Sequence, residues 1–268
     1  MAGRKPERCG QYEFRIEGRR NRKISGKESI HQTWKITPVL PETKILLPDK
    51  TVRTQEKLAV FLAFIAGYTD ATGLMQWKIY VSFMSGNTTQ LGAAVFSEKY
   101  GVIISSVIVI IFFLAGIYTG TCLSLSKKFR STKIIFYTVS GIMILYSMTD
   151  YYEHIAHEVS IAVIGFSMGL MNTIVTSVGN QKINTDFVTG TLNSLARTAA
   201  LFVMSNQAEE RKEYKINIFH LLFLWMGFLS GASAAPFLLS YSGNWTLMFP
   251  AALLLICAFT IPITTIKN

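Results

Sequence analysis

The sequence predicts an all-α membrane protein, with about six transmembrane helices plus two polar re-entrant or broken helices arranged as two inverted repeats. Three observations lead there: a body nearly stripped of charge, a series of apolar windows of membrane-crossing length, and a polar motif that occurs twice. Positions 1–57 hold 14 Lys/Arg and 7 Asp/Glu, while the remaining 211 positions hold 12 and 9. The body is therefore about 10 % charged, where a soluble domain is about 25 % charged. With a mean hydropathy of +0.34, the apolar excess needs a solvent other than water, and a bilayer supplies it.

The first element, residues 1–57, is polar and basic, and Pro6, Pro38, Pro41 and Pro48 interrupt any helix. It is expected to be a mostly disordered cytoplasmic tail. Its densest stretch holds Arg15, Arg19, Arg20, Arg22, Lys23 and Lys27 against Glu17. Such charge attracts anionic lipid or nucleic acid, but no folded nucleic-acid module accompanies it, so a solvated tail that enforces topology is the simpler reading and no nucleic-acid partner is expected. No secretory signal pattern occurs in the first 50 residues, so the N-terminus is expected to stay on the side of synthesis. Cys9, Cys122 and Cys257 have neither disulfide nor zinc spacing.

Beyond the tail, a span needs roughly 20 apolar residues to cross about 30 Å of hydrocarbon. The windows are Leu58 to Met75, interrupted by Asp70, then Val102 to Leu125, Ile134 to Thr149, Val159 to Val178, Ile216 to Ser240 and Trp245 to Ile266. Ile79 to Ser97 and Phe187 to Ser205 are apolar enough to enter a membrane yet rich in Ser, Thr, Asn, Gln and Gly.

Short cytoplasmic loops collect Lys and Arg, and this arbitrates between six and eight spans. If both polar stretches cross, the loop with Lys127, Lys128, Arg130 and Lys133 lies outside and the loop with Asp150, Glu153 and Glu158 inside. That inverts the rule. If each stretch dips in and returns, every basic loop is cytoplasmic, together with both termini. Trp77, Tyr151, Tyr152 and Trp245 then sit at the outer face, where interfacial aromatics belong. The expected address is the inner (plasma) membrane.

The polar stretches repeat each other. Phe83-Met84-Ser85-Gly86-Asn87-Thr88-Thr89-Gln90-Leu91 aligns without gaps on Phe187-Val188-Thr189-Gly190-Thr191-Leu192-Asn193-Ser194-Leu195, with Lys78 and Lys182 in the same register. Upstream, Gly67-Tyr68-Thr69-Asp70 aligns on Gly169-Leu170-Met171-Asn172. Each copy reads span, broken segment, span, span, which divides the body into 58–150 and 151–268. Three crossings per copy place the second copy upside down relative to the first. Inverted repeats with interrupted helices are how transporters build a midplane site, because freed backbone groups there line a cavity instead of lipid.

The run Ala63-Phe64-Ile65-Ala66-Gly67-Tyr68-Thr69-Asp70-Ala71, with Phe83-Met84-Ser85-Gly86-Asn87, Met171-Asn172 and Thr189-Gly190-Thr191, resembles the YoaK family of bacterial membrane proteins, a family defined by a domain of unknown function. The likeness covers roughly residues 55–266 and implies a multi-pass inner-membrane protein without implying a reaction. Ser85 stands where the family has Thr and Met171 where it has Gln, and the long basic tail departs from the family's short N-terminus.

Asp70 is the strongest single residue. A carboxyl inside a span is expensive, on the order of 2.5 to 3.5 kcal/mol, so it either faces a cavity and carries a proton during transport or anchors structure through hydroxyls or Arg197. Asn172 is its counterpart. Ser85, Gly86, Asn87 and Thr88, with Thr189, Gly190, Thr191 and Asn193, could present hydroxyls, amides and half-helix N–H groups to a solute, or simply let helices approach. Arg197 falls where the first copy has Ala93, and could bind an anion, balance Asp70 or snorkel to the surface.

Other motifs are set aside. Gly165-Phe166-Ser167-Met168-Gly169 matches a hydrolase nucleophile pattern, but that chemistry needs a strand-turn-helix elbow, so helix packing is expected there. The same holds for Gly116/Gly120 and Gly227/Gly231. Glu153-His154-Ile155-Ala156-His157-Glu158 is no known metal pattern, and neither metal nor cofactor is expected. The composite expectation is a transporter of a small polar solute, not an enzyme, with the bilayer as its other partner and a homo-oligomer left open. A channel is a near variant. A membrane-embedded enzyme and a scaffold recruiting partners through the tail are the readings from other classes.

Overall fold

Eight α-helices form among the described residues, which in the computed structural model are 50–126, 132–174 and 188–260. All lie within the unit Leu46–Asn268. The helices are α1 (Lys50–Trp77), α2 (Met84–Phe96), α3 (Tyr100–Leu125), α4 (Thr132–Tyr152), α5 (His157–Met171), α6 (Val188–Met204), α7 (Ala208–Ser242) and α8 (Met248–Thr260), with a 3-10 turn at Gly243–Trp245. No strand occurs among the described residues.

Gln55–Trp77, Tyr100–Leu125, Lys133–Tyr152 and Ala208–Tyr241 are long and apolar enough to cross a membrane. The apolar stretches His157–Met171 and Met248–Phe259 are shorter. The 13 residues of α2 reach only about 20 Å at 1.5 Å per residue. Ile104, Ile111 and Leu114 on α3, and Phe219, Phe223 and Phe237 on α7, are exposed. In water such faces would aggregate; in a bilayer they are the solvated surface. The chain is an all-α membrane protein.

Three boundaries depart from expectation. First, α1 begins at Lys50, inside the stretch expected to be disordered, and Glu56 ties this charged turn to His220 of α7 at 2.8 Å. Second, α7 begins at Ala208, about two turns ahead of the apolar window that opens at Ile216, so Arg211, Lys212 and Lys215 lie within the helix. Ser205 donates to Glu210 at 2.7 Å and accepts from the Gln207 N–H at 3.3 Å, while Glu209 and Glu210 in the first turn complement the helix dipole. Third, α5 stops at Met171, with Asn172–Ile174 making turn-type hydrogen bonds. The expected continuation to Val178, the basic loop at 127–130, the dense basic stretch of the tail, Lys182 and Phe187 lie outside the described residues.

The helices pack in a scheme that survives exchange of the two halves. α1 packs on α7 as α5 packs on α3; α6 lies on α7 as α2 lies on α3; α1 touches α8 as α5 touches α4; and α4 packs on α8. The two main crossings are made by one device, the sequence Phe-x-x-Gly. A Cβ on Gly67 would run into the backbone carbonyl of Phe228, and one on Gly231 into that of Phe64. Likewise Gly169 abuts the Phe113 carbonyl and Gly116 the Phe166 carbonyl. Only hydrogen at Cα permits backbones to approach this closely, and dispersion and weak Cα–H···O contacts then hold them.

Contacts along each pair fix the directions. α1 and α7 run in parallel, with Val60 beside Gly227 and Phe64 beside Gly231; α3 and α5 do too, with Val109 beside Gly165 and Gly120 beside Thr173. α4 and α8 are antiparallel: Tyr137 meets Phe259 near one end and Tyr151 meets Trp245 at the other. Trp77 stacks edge-on against Tyr146, so α1 and α4 finish at the same end. Tyr146 donates to Ser160 at 2.9 Å, so α5 starts there.

Candidate functional site

The first broken segment is built against α1. Lys78, with φ of 59°, turns the chain back on itself at the end of the helix, a left-handed step that ends helices. The strand-like coil then runs down the side of α1. Ile79 N–H donates to the Gly73 carbonyl at 3.4 Å, and three residues on, Ser82 has reached Asp70. Glu98, with φ of 52°, makes the matching reversal between α2 and α3.

A coil at membrane depth leaves backbone groups unpaired, and in a bilayer each must find a partner inside the protein. Asp70 and Asn87 are those partners. Oδ1 of Asp70 accepts from the Val81 N–H at 2.8 Å, the Ser82 N–H at 2.7 Å and, more weakly, the Phe83 N–H at 3.4 Å. Its Oδ2 accepts from the Ser82 hydroxyl at 2.7 Å. The carboxyl is 3 % exposed and sits just ahead of the N-terminus of α2, where the helix dipole favours an acid. Asn87 reaches back one turn: Oδ1 accepts from the Tyr80 N–H at 3.1 Å and Nδ2 donates to the Tyr80 carbonyl at 2.7 Å. The amide replaces the pairing a neighbouring strand would give.

Gly86 completes this pin. Tyr80 and Phe83 meet edge to face, with centroids 5.3 Å apart, and a Cβ on Gly86 would be 2.5 Å from the Phe83 ring. Around Asp70, the Thr69 hydroxyl donates to the Ile65 carbonyl at 2.9 Å, with the Ala66 carbonyl and the Met168 sulfur of α5 also within reach, and Tyr68 donates to the Thr246 carbonyl at 2.9 Å. The centre of the fold is thus cross-tied by hydroxyls.

The remaining predicted residues divide into two faces. Ser85, Thr88 and Thr89 are exposed on α2, the threonine hydroxyls returning to the Met84 and Ser85 carbonyls of the preceding turn. Thr189, Asn193 and Arg197 are exposed on α6, where Gly190 and Thr191 are half-buried. The two faces are carried by separate pairs, α2 on α3 and α6 on α7. Asn172 follows the last turn of α5, its Oδ1 buried and without a hydrogen-bond partner among the described residues. Asp70, Asn87 and Gly86 come together; Arg197 is apart from Asp70, whose two oxygens are engaged elsewhere.

Sequence reasoning missed Ser82, which gives Asp70 its hydroxyl partner, and the Glu56–His220 pair between α1 and α7. Ser82 lies two residues before α2, a position where a hydroxyl often ties a helix start, and that signal was available. The glycines of Gly165 to Gly169 and of Gly116/Gly120 and Gly227/Gly231 serve packing, against Val109 and Phe113, Phe166 and Thr173, and Val60 and Phe64 respectively.

Residues 58–260 match the family described as a protein of unknown function, DUF1275. The chain is also similar to the UPF0700 transmembrane protein RA0705 of Rhizobium meliloti (strain 1021), with 27 % identity over 208 residues that cover 76 % of this chain and 86 % of that one. No solved structure matches. The family match spans the membrane body and leaves the basic tail outside.

Proposed function

The chain belongs to the DUF1275 family, YoaK-type membrane proteins described as of unknown function, and we propose that within this family it is a transporter of a small polar solute. One observation carries the reading: the packing scheme maps onto itself when the halves are exchanged, and α5 starts at the end where α1 finishes. Opposed halves of equal construction, each with a broken helix, are the arrangement that lets one half rock against the other around a central site.

In this reading the chain crosses six times and α2 and α6 return to the side they enter from, which makes the halves inverted repeats. The antiparallel α4 and α8 support it, because eight full crossings would make the fourth and eighth helices parallel. Trp77, Tyr151, Tyr152 and Trp245 mark the outer face of the inner (plasma) membrane, and both termini are cytoplasmic. Solute passes the polar faces of the two short helices, Ser85 and Thr88 on α2 and Thr189, Asn193 and Arg197 on α6. Asp70, Asn87 and Gly86 shape the first broken segment, while Asn172, Gly190 and Thr191 take the corresponding positions in the second.

Uptake and efflux by reconstituted protein across a broad panel of small metabolites tests this. Saturable flux of at least one solute, lowered by Asp70→Asn, is expected. An inert panel, together with Asp70→Asn cells indistinguishable from wild type, sinks the reading. Flux that neither saturates nor follows a coupling gradient replaces the transporter with a channel.

A further inference from the structure

We propose that the transported solute is a small oxyanion, a carboxylate or phosphate, and that Arg197 is the residue that recognises it. The proposal deepens the transport reading and rests on it for the solute path beside α6. It starts from the sign of the charge left free inside the protein. Away from the helix ends and the charged first turns of α1 and α7, the described charged side chains are Asp70 and Arg197. Asp70 is consumed: three backbone N–H groups and the Ser82 hydroxyl occupy its two oxygens. It offers a cationic solute nothing.

Arg197 is the opposite case. It is exposed near the middle of α6, and no acidic side chain pairs with it among the described residues. Thr189, Asn193 and Arg197 recur every four residues, so they form one stripe on an exposed face of the helix. A guanidinium without counter-charge or water is disfavoured in hydrocarbon, which favours a wetted setting for this face. A hydroxyl, an amide and a guanidinium in a row are the donors that a planar or tetrahedral oxyanion accepts, the guanidinium in a two-pronged pair.

The first half shows what this device replaces. Its equivalent stripe reads Ser85, Thr89 and Ala93, small and neutral, beside a broken segment that carries its own acid in Asp70. In the second half the acid is replaced by Asn172 and the alanine by Arg197. Among the described residues, away from the helix ends and charged first turns, one half brings Asp70 and no cation, and the other brings Arg197 and no acid. Among the described residues that asymmetry leaves Arg197 as the positive charge beside the path, and the solute supplies the negative one.

The test uses full-length protein, wild type and the variants Arg197→Gln and Arg197→Lys, with inorganic phosphate, acetate, glycerol and ethylammonium as probes. Thermal stabilisation in detergent reads binding, and uptake into proteoliposomes reads transport. Expected is stabilisation and uptake with phosphate or acetate, lowered at least tenfold in Arg197→Gln and partly restored in Arg197→Lys, with the unliganded melting temperature unchanged. Which of the two anions responds separates the phosphate from the carboxylate class. Uptake of glycerol or ethylammonium with inert anions overturns the inference and leaves transport standing. Anion stabilisation lost in Arg197→Gln without any flux keeps the anion site and overturns transport. Anion effects that persist unchanged in Arg197→Gln overturn the role of Arg197, and silence in both assays overturns both.

Discussion

Asp70 and Asn87 do work that an unbroken helix would not require, since each completes backbone hydrogen bonds that the coil at 79–83 cannot make with itself. Losing a charged acceptor from buried donors is costly. Asp70→Asn keeps one acceptor oxygen but points amide hydrogens at the Ser82 side, so thermal unfolding in detergent should show a loss of about 2–3 kcal/mol. A melting temperature equal to wild type would mean the coil is held by something else. Asn87→Ala leaves both polar groups of Tyr80 unpaired and should cost about 1–3 kcal/mol. Asn87→Asp, which keeps the acceptor and loses the donor, should fall between Asn87→Ala and wild type. The type of these residues was readable from the chain, because an acid in an apolar window must be accounted for. Their partners were not, since Asp70 and Ser82 meet only after the chain reverses at Lys78.

At the level of helices, the Phe-x-x-Gly crossings make the sharpest prediction. Alanine at Gly67, Gly116, Gly169 or Gly231 would place a Cβ against a backbone carbonyl that cannot move independently of its helix, so each should destabilise by about 3 kcal/mol or more. Gly92 in α2 and Gly141 in α4 meet nothing within 4 Å, and alanine there should be neutral or stabilising by up to about 1 kcal/mol. Monodispersity and melting temperature of the six variants would separate the groups, and equal behaviour would refute the crossing geometry. The four-residue glycine spacings were legible as packing signals from the sequence. The recurrence of Phe-x-x-Gly on α1, α3, α5 and α7 was equally printed in the chain, but which glycine meets which carbonyl depends on helix pairing between distant segments. The ends of α1 and α7 were misjudged for a related reason: apolar windows locate the hydrocarbon, whereas helices continue into charged turns wherever caps and ion pairs support them.

For the molecule as a whole, the direction of α4 against α8 is what separates the proposed six crossings from eight. In a background lacking Cys9, Cys122 and Cys257, cysteines at Tyr137 with Phe259, and at Tyr151 with Trp245, should cross-link with a short bifunctional maleimide, whereas Tyr137 with Trp245 should not. Reporter fusions should place residues 126–133 and 150–158 on opposite sides of the membrane; a shared side would contradict the path of α4. By itself the sequence determined that the chain is an all-α membrane protein and where its apolar windows and polar stretches lie, but not how far α1 and α7 run beyond those windows. Hydropathy and self-similarity are local properties, carried by each window without reference to the rest of the chain. Only the tertiary structure decided that Asp70 and Asn87 close a reversed coil, that Arg197 stands apart from Asp70, and that matched glycines join α1 to α7 and α3 to α5. Those facts are contacts between segments far apart in the chain, and they come into being only when the helices choose their neighbours.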